Sequence, residues 1–316
     1  MRTLVTPPHM RQQTSPLHFR PITLDAIPVI NGYLHRDPSR TCDYTIGGIY
    51  MWIDYFSYRY CIVEDTLFIK GVSEDNLGEI AYSLPIGSLS LPEAIDLLRI
   101  HCRTEGHRLR FSAIPEDKLH LFSDAGPCSV SPLPDWSDYL YDAASLATLS
   151  GNALKKKRNH VNRFLADNPG ASLQPITNAV IPELKAFLSG IASRQHQSLL
   201  ATVERTQTHH VLDNWDSYSP VFTGALLRDH TGRTVAFSIG ETVGDTLFVH
   251  IEKMDHEVPG AGESINKMFA EYMLAANPEI RYINREDDAG DPGLRAAKQS
   301  YHPAMMLPKY DIMIDD

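Results

Sequence analysis

Val63-Glu-Asp-Thr-Leu-Phe-Ile-Lys70 returns as Val243-Gly-Asp-Thr-Leu-Phe-Val-His250, with five of its eight residues unchanged. Each copy sets Glu64-Asp65 or Gly244-Asp245 between apolar and β-branched residues, the pattern of two strands joined by a tight turn. The copies are 243 − 63 = 180 residues apart. Downstream, amphipathic helices are expected over Leu91–Thr104 and Gly262–Ala275 (262 − 91 = 171), each feeding a short strand, Arg108–Ile114 and Arg281–Asn284. Both halves then reach a Leu-Pro-x-aromatic step, Leu133-Pro-Asp-Trp136 and Leu307-Pro-Lys-Tyr310 (307 − 133 = 174). Three matches in the same order predict a tandem duplication. The expected division is a loose arm over 1–16, a first unit over 17–145 and a second over 146–316.

Each unit reads as helices, an antiparallel hairpin, then strand, helix, strand, helix, strand. Apolar runs such as Thr234–Gly240 and Thr246–Glu252 suit a sheet covered by helices. The hairpins make that sheet mixed, so the class is α+β. The second unit carries more chemistry. Its strand Leu247–Lys253 leads into Pro259-Gly-Ala-Gly262 and a helix, a turn that aims backbone N–H groups at a bound anion. The first unit has only Pro85-Ile-Gly87 at the matching place.

Composition narrows the class. With 29 Lys+Arg against 39 Asp+Glu the formal charge is −10, and 43% of the 316 residues are hydrophobic. This is a globular composition, unlike a disordered or collagen-like chain. No apolar run approaches the ~18–20 residues of a membrane span, and the start lacks a signal-peptide core, so a cytoplasmic protein is expected. Cys42, Cys61, Cys102 and Cys128 form no C-x-x-C pair and read as reduced thiols. No histidine spacing suggests a metal, and no Gly-x-Ser-x-Gly elbow suggests a hydrolase.

The strand–Gly-turn–helix order resembles the N-acetyltransferase (GNAT) fold. Tyr282-Ile-Asn-Arg-Glu-Asp-Asp-Ala-Gly290, Gly293–Pro303 and Lys309-Tyr-Asp311 are similar to the C-terminal domain of lysylphosphatidylglycerol synthases. Asp43-Tyr-Thr45, Tyr50-Met-Trp52 and Lys155–Arg163 resemble the patterns of that family too. The resemblance implies two tandem GNAT-like domains and transfer of an activated acyl group. In the lipid synthases the donor is an aminoacyl-tRNA and the acceptor a membrane lipid. This chain departs from acetyltransferases at Glu257-Val-Pro-Gly-Ala-Gly262, where their pattern is Arg/Gln-x-x-Gly-x-Gly. A carboxylate there repels a pyrophosphate, so coenzyme A is expected to bind poorly.

Candidate residues follow, each with two readings. Lys155, Lys156, Arg158 and Arg163 lie in an acid-free run and either attract a phosphate-bearing donor or form a solvated helix face. Gly260 and Gly262 either cradle phosphate or make a tight turn. In Asn284-Arg-Glu-Asp-Asp288, Glu286 or Asp287 would hold a substrate ammonium, and Arg285 would offer a planar fork to a carboxylate or phosphate, with Asn284, Arg295 and Lys298 completing the site. The other reading is a solvated loop tied to Arg295 and Lys298. Strand alternation puts His250 and Glu252 on one face and Lys253 on the other. Glu252 then either takes a proton from the acceptor or belongs to a satisfied polar contact. The resemblance gives Tyr301 the role of proton donor to the leaving group; otherwise it is a packed tyrosine.

The function expected is an acyl or aminoacyl transferase, with aminoacyl-tRNA or acyl-coenzyme A as donor and an amine or hydroxyl on a small-molecule or amino-acid-like partner as acceptor. The alternatives are a coenzyme A-dependent N-acetyltransferase and a degenerate transferase that only binds a ligand or, through its basic patch, tRNA.

Overall fold

The computed structural model describes residues 15–192 and 199–315, so nearly all of the arm expected over 1–16 lies outside the described residues. The strands are β1 (Arg20–Pro21), β2 (Arg59–Val63), β3 (Thr66–Val72), β4 (Ile80–Tyr82), β5 (Ile86–Gly87), β6 (Arg110–Pro115), β7 (Cys128–Pro132), β8 (Asp138–Asp142), β9 (Ser172–Pro175), β10 (Phe222–Arg228), β11 (Thr234–Val243), β12 (Thr246–Met254), β13 (Tyr282–Asn284), β14 (Met305–Leu307) and β15 (Lys309–Ile314). The helices are α1 (Ile27–Leu34), α2 (Ile46–Tyr50), α3 (Leu91–Glu105), α4 (Ala143–Thr148), α5 (Lys155–Asp167), α6 (Ile181–Ala192), α7 (Leu199–Asp213), α8 (Trp215–Tyr218), α9 (Ala261–Ala276) and α10 (Pro292–Gln299).

They build two mixed sheets, as the repeat requires. One runs β1-β2-β3-β4-β6-β15-β7 with β5 beside β3; the other runs β14-β8-β13-β12-β11-β10-β9. The duplicated octapeptides are the hairpins β2–β3 and β11–β12. Glu64 and Asp65 take φ of 50° and 51°, the left-handed pair that a two-residue hairpin with the native twist demands; Gly244 takes 59°. The stretch between α1 and α2 staples the two turns together, Arg36 to Asp65 at 2.8 Å and Arg40 to Asp245 at 2.6 Å.

The closing strands change places. After Leu133-Pro134, β8 joins the second sheet between β13 and β14; after Leu307-Pro308, β15 inserts into the first sheet between β6 and β7. A proline has no N–H for a ladder, so pairing breaks at each Leu-Pro step and the chain is free to cross. The division at 145/146 therefore separates the hairpins and long helices but leaves each sheet holding one strand from the other half.

One face of the second sheet carries Leu247 and Val249 against α9, which buries Ile265, Phe269, Ala270 and Met273 at three- and four-residue spacing. Its other face carries Phe237, Ile239 and Ile251 into a core continuous with the first half. At about 1.5–3 kcal/mol per enclosed large side chain, these two layers fix the sheet between them. Among the described residues, no helix is long and apolar enough to cross a membrane.

Candidate functional site

The site grows from an irregularity in β12. Ile239 pairs with Ile251 but Gly240 pairs with Val249, so His250 is an extra residue, a β-bulge. The bulge overturns the expected alternation. His250 points at Glu241 and the first half, Glu252 points at Asn266 of α9, and Lys253 reaches Glu204 of α7 at 2.7 Å. His250 and Glu252 thus face different layers, because one inserted residue shifts the strand's phase.

β13 is three residues long and reaches along β12 only over Thr246–Phe248, so among the described residues the far half of β12 lacks a strand neighbour on that side. The chain leaving β13 there sends consecutive side chains to different partners. Asn284 donates to the Arg40 carbonyl and to Asp138 Oδ2, both at 2.7 Å. Arg285 Nη2 meets Glu252 Oε1 at 2.8 Å. Glu286, at φ 59°, meets His250 Nδ1 at 2.7 Å. Asp287 accepts the Ala289 N–H, while its carbonyl accepts from Lys298 Nζ. Asp288 takes a bidentate grip from Arg295 (2.9 and 2.7 Å) and the Tyr139 hydroxyl at 2.5 Å. Arg295 also holds Asp135. So Asn284, Arg295 and Lys298 build the loop's frame.

Arg285 is different. Among the described residues its Nη1 has no partner, and its guanidinium lies 4.9 Å from the centre of the Tyr301 ring. Lys157 of α5 lies 4.2 Å from the same ring and 3.6 Å from Glu263. Burial raises the Tyr301 pKa, so the hydroxyl stays protonated, and burial lowers that of Lys157. Glu252, Arg285, Tyr301 and Lys157 therefore converge, with the Asn266 Oδ1 also unpartnered. Lys157 escaped the reading of the basic run, although a signal was present: it stands four residues before Val161 and seven before Phe164, the two residues α5 buries.

The other members of that run lie elsewhere. Lys155, Lys156 and Arg163 are exposed, and Arg158 donates to the carbonyls of Leu149 and Gly151. Gly260 caps α9 at φ 81°, and a Cβ there would come 2.6 Å from the His160 carbonyl of α5. Gly262 faces Met254. Glu263 in the first turn takes Lys157 and His160, which with its helix-terminal place hold its pKa low despite burial. The start of α9 is thus filled by α5 and by an internal carboxylate. Those residues do not fit a coenzyme A pyrophosphate.

Behind the loop, at the seam of the two halves, Lys309 Nζ is fully enclosed, 2.7 Å from Asp43, 2.8 Å from Asp138 and 3.5 Å from Cys42. Burial alone would discharge it, but the facing carboxylates hold its pKa well above the ordinary lysine value. Cys42, Asp43 and Asp138 have ligand-type atoms within 4.8 Å of one another, and this ammonium lies among them. Burial raises the pKa values of Glu74 and Asp287 beside it. At the opposite end of β12 a separate cavity of about 510 Å3 includes Arg40, Glu116, Asp117, Met305 and Met306 in its lining.

Residues 36–313 match the family described as phosphatidylglycerol lysyltransferase, C-terminal. An uncharacterised protein of Mycoplasmoides gallisepticum is 22% identical over 189 residues, which are 56% of this chain and only 56% of that relative's length. A conserved protein of unknown function from Bacteroides thetaiotaomicron superposes with a TM-score of 0.84 at 28% identity, covering 95% of this chain and 100% of that one. L-PGS from Bacillus licheniformis shares the fold, with a TM-score of 0.65 at 14% identity over 90% of this chain and 91% of its own.

Proposed function

We propose that this chain, which belongs to the phosphatidylglycerol lysyltransferase C-terminal family and so to proteins of aminoacyl- or acyltransferase kind, moves an aminoacyl group from an aminoacyl-tRNA to an amine or hydroxyl acceptor. The observation that carries this reading is Arg285: a shielded guanidinium with one nitrogen unspent, beside a carboxylate and a protonated tyrosine. The acceptor attacks the ester carbonyl, whose developing oxyanion meets Arg285 Nη1. Glu252 takes the acceptor's proton, the C–O bond to the ribose breaks, and the Tyr301 hydroxyl protonates the departing oxygen. No covalent enzyme intermediate is needed; orientation and charge supply the rate.

The filled start of α9 favours an aminoacyl ester over an acyl-coenzyme A, because a pyrophosphate there would displace α5 and oppose Glu263. Beside Arg285, the carboxyl group of Glu286 or Asp287 would hold the ammonium of an aminoacyl group. The exposed Lys155, Lys156 and Arg163 of α5 supply contacts for the tRNA backbone, and such a donor places the chain in the cytoplasm. Purified protein is incubated with radiolabelled lysyl-tRNA, alanyl-tRNA or acetyl-coenzyme A and with amine, amino-acid or lipid acceptors. Transfer from aminoacyl-tRNA alone supports the reading; acetyl transfer overturns the donor, and binding without transfer makes the chain a ligand-binding module.

A further inference from the structure

We infer that His250 is a positioning residue: clamped between Glu241 and Glu286, it holds the strained backbone after β13 in place and so fixes the guanidinium of Arg285 against Glu252. This deepens the transferase reading and rests on it for its catalytic consequence, but the mechanical coupling stands by itself. The bulge swings the imidazole out of the second sheet's own layer, where it is fully enclosed, with Nε2 2.9 Å from Glu241 and Nδ1 2.7 Å from Glu286. The ring stacks on Phe248 at 6.2 Å and lies 5.8 Å from Phe222. From the first half, Gly47 closes the last side. Its N–H donates to the same Glu241 oxygen at 2.7 Å, and a Cβ on it would overlap the imidazole ring. The first half thus buttresses the imidazole through the backbone of Gly47.

Glu286 is the residue that needs holding. A non-glycine at φ 59° is strained, and it persists only where its surroundings impose it. Its N–H donates to Asn284 Oδ1 at 2.6 Å, its carbonyl accepts from Tyr139, and Tyr139 in turn accepts the N–H of Arg285. These bonds fix the main chain, while His250 fixes the side chain; Arg285 is one peptide away. The titratable groups facing the imidazole are Glu241 from β11 and Glu286 from the loop, with Cys42, Asp287 and Lys298 electrostatically linked to Glu286 behind it. A charged imidazole donates from both nitrogens. The neutral ring has one N–H, so one carboxylate must lose its donor, and the clamp opens on that side. Burial would lower the pKa of His250, but both carboxylates outweigh it and raise it to about 9.

The test reads the coupling without requiring turnover. In wild-type protein labelled with 15N at histidine and arginine, the pH is raised through the His250 titration while the Arg285 side-chain resonance is followed. The expected result is that Arg285 shifts with the same midpoint as His250. His250→Gln should fix Arg285 in its high-pH position throughout, and where lysyl- or alanyl-tRNA turnover is measurable it should lower kcat about tenfold with little change in KM and remove the alkaline limb. Should that variant not fold, Gly47→Ala, which displaces the ring and changes no charge, must move the Arg285 resonance in the same sense. An Arg285 signal indifferent to the His250 titration in the wild type overturns the inference. Absence of any transfer, with the shift retained, overturns the transferase reading alone.

Discussion

Lys70 and His250 end the two copies of one octapeptide, and their surroundings have little in common. Lys70 is half-buried, 5.7 Å from the centre of the Phe19 ring, whereas His250 is sealed between two carboxylates. The exchanged strands repeat the contrast. Asp311 of β15 is buried in the first sheet and takes two hydroxyls and a guanidinium, from Ser73, Ser112 and Arg110. Asp138 of β8 is buried in the second and takes the Cys42 N–H, the Asn284 amide and the Lys309 ammonium. One frame, used twice, is closed by mostly neutral donors on one side and loaded with ion pairs on the other. Among the described residues each side leaves a guanidinium nitrogen over, Nε of Arg110 and Nη1 of Arg285, and the loaded side sets its guanidinium beside Tyr301, whose ring also meets Lys157.

The contrast can be broken hardest at Lys309. Lys309→Met strands Asp43 and Asp138 without their cation and should cost about 3–5 kcal/mol in urea unfolding. Asp311→Asn, in the counterpart where two hydroxyls share the carboxylate with Arg110, should cost about 1–3 kcal/mol. Equal losses would mean that the two seams are energetically alike. The next largest effect is one of pH. The folded protein favours the His250 imidazolium, so its contribution is complete below the ordinary value of 6.5 and is lost as the pH rises through about 9. Stability should fall by the order of 3 kcal/mol across that window, and the fall should vanish in His250→Gln. Asp287, with its raised pKa, adds a loss with rising pH that sets in at more acid values.

Smaller effects concern activity. Arg285→Ala and Asp287→Asn should each reduce turnover or ligand affinity at least about tenfold, ~1.4 kcal/mol, with the circular dichroism spectrum unchanged. Glu116→Gln and Asp117→Asn, at the corresponding place in the first half, should leave the rate alone. Like behaviour of the two sets would move the site elsewhere. Least of all, Lys155→Ala should weaken tRNA binding only a few-fold and reduce the slope of log affinity against log salt by about 1.

Much of the frame was legible because it is written locally. The hairpin turns, the α3 and α9 periodicities and the Leu-Pro steps each declare themselves within a few residues. What escaped depends on partners distant in sequence. Nothing within Asp138–Asp142 says which sheet it joins, since either edge satisfies its ladder. The bulge at His250 exists only by comparison with β11, so alternation counted along β12 alone gave Glu252 the wrong neighbours. In the basic run, spacing offered several faces; the one that turns inward is fixed by Val161 and Phe164, and it carries Lys157 rather than its exposed neighbours. The block Asn284–Asp288 declares itself in the sequence as a run of charge after a strand. Its division of labour, with most side chains framing the loop and Arg285 keeping a free nitrogen, required the partners to be seen.

The exchanged strand also sets an order of events on the ribosome. β15 is an interior strand of the first sheet, yet it is synthesised 309 − 115 = 194 residues after β6 ends. Until it emerges, β6 and β7 present open edges to solvent, and the buried Asp311 that Ser73 and Ser112 require is missing. At roughly 5–20 residues per second, that interval lasts on the order of ten seconds or more. The first half is thus made first and completed last. A nascent chain stalled before residue 309 should be captured by chaperones and cut readily within its first sheet.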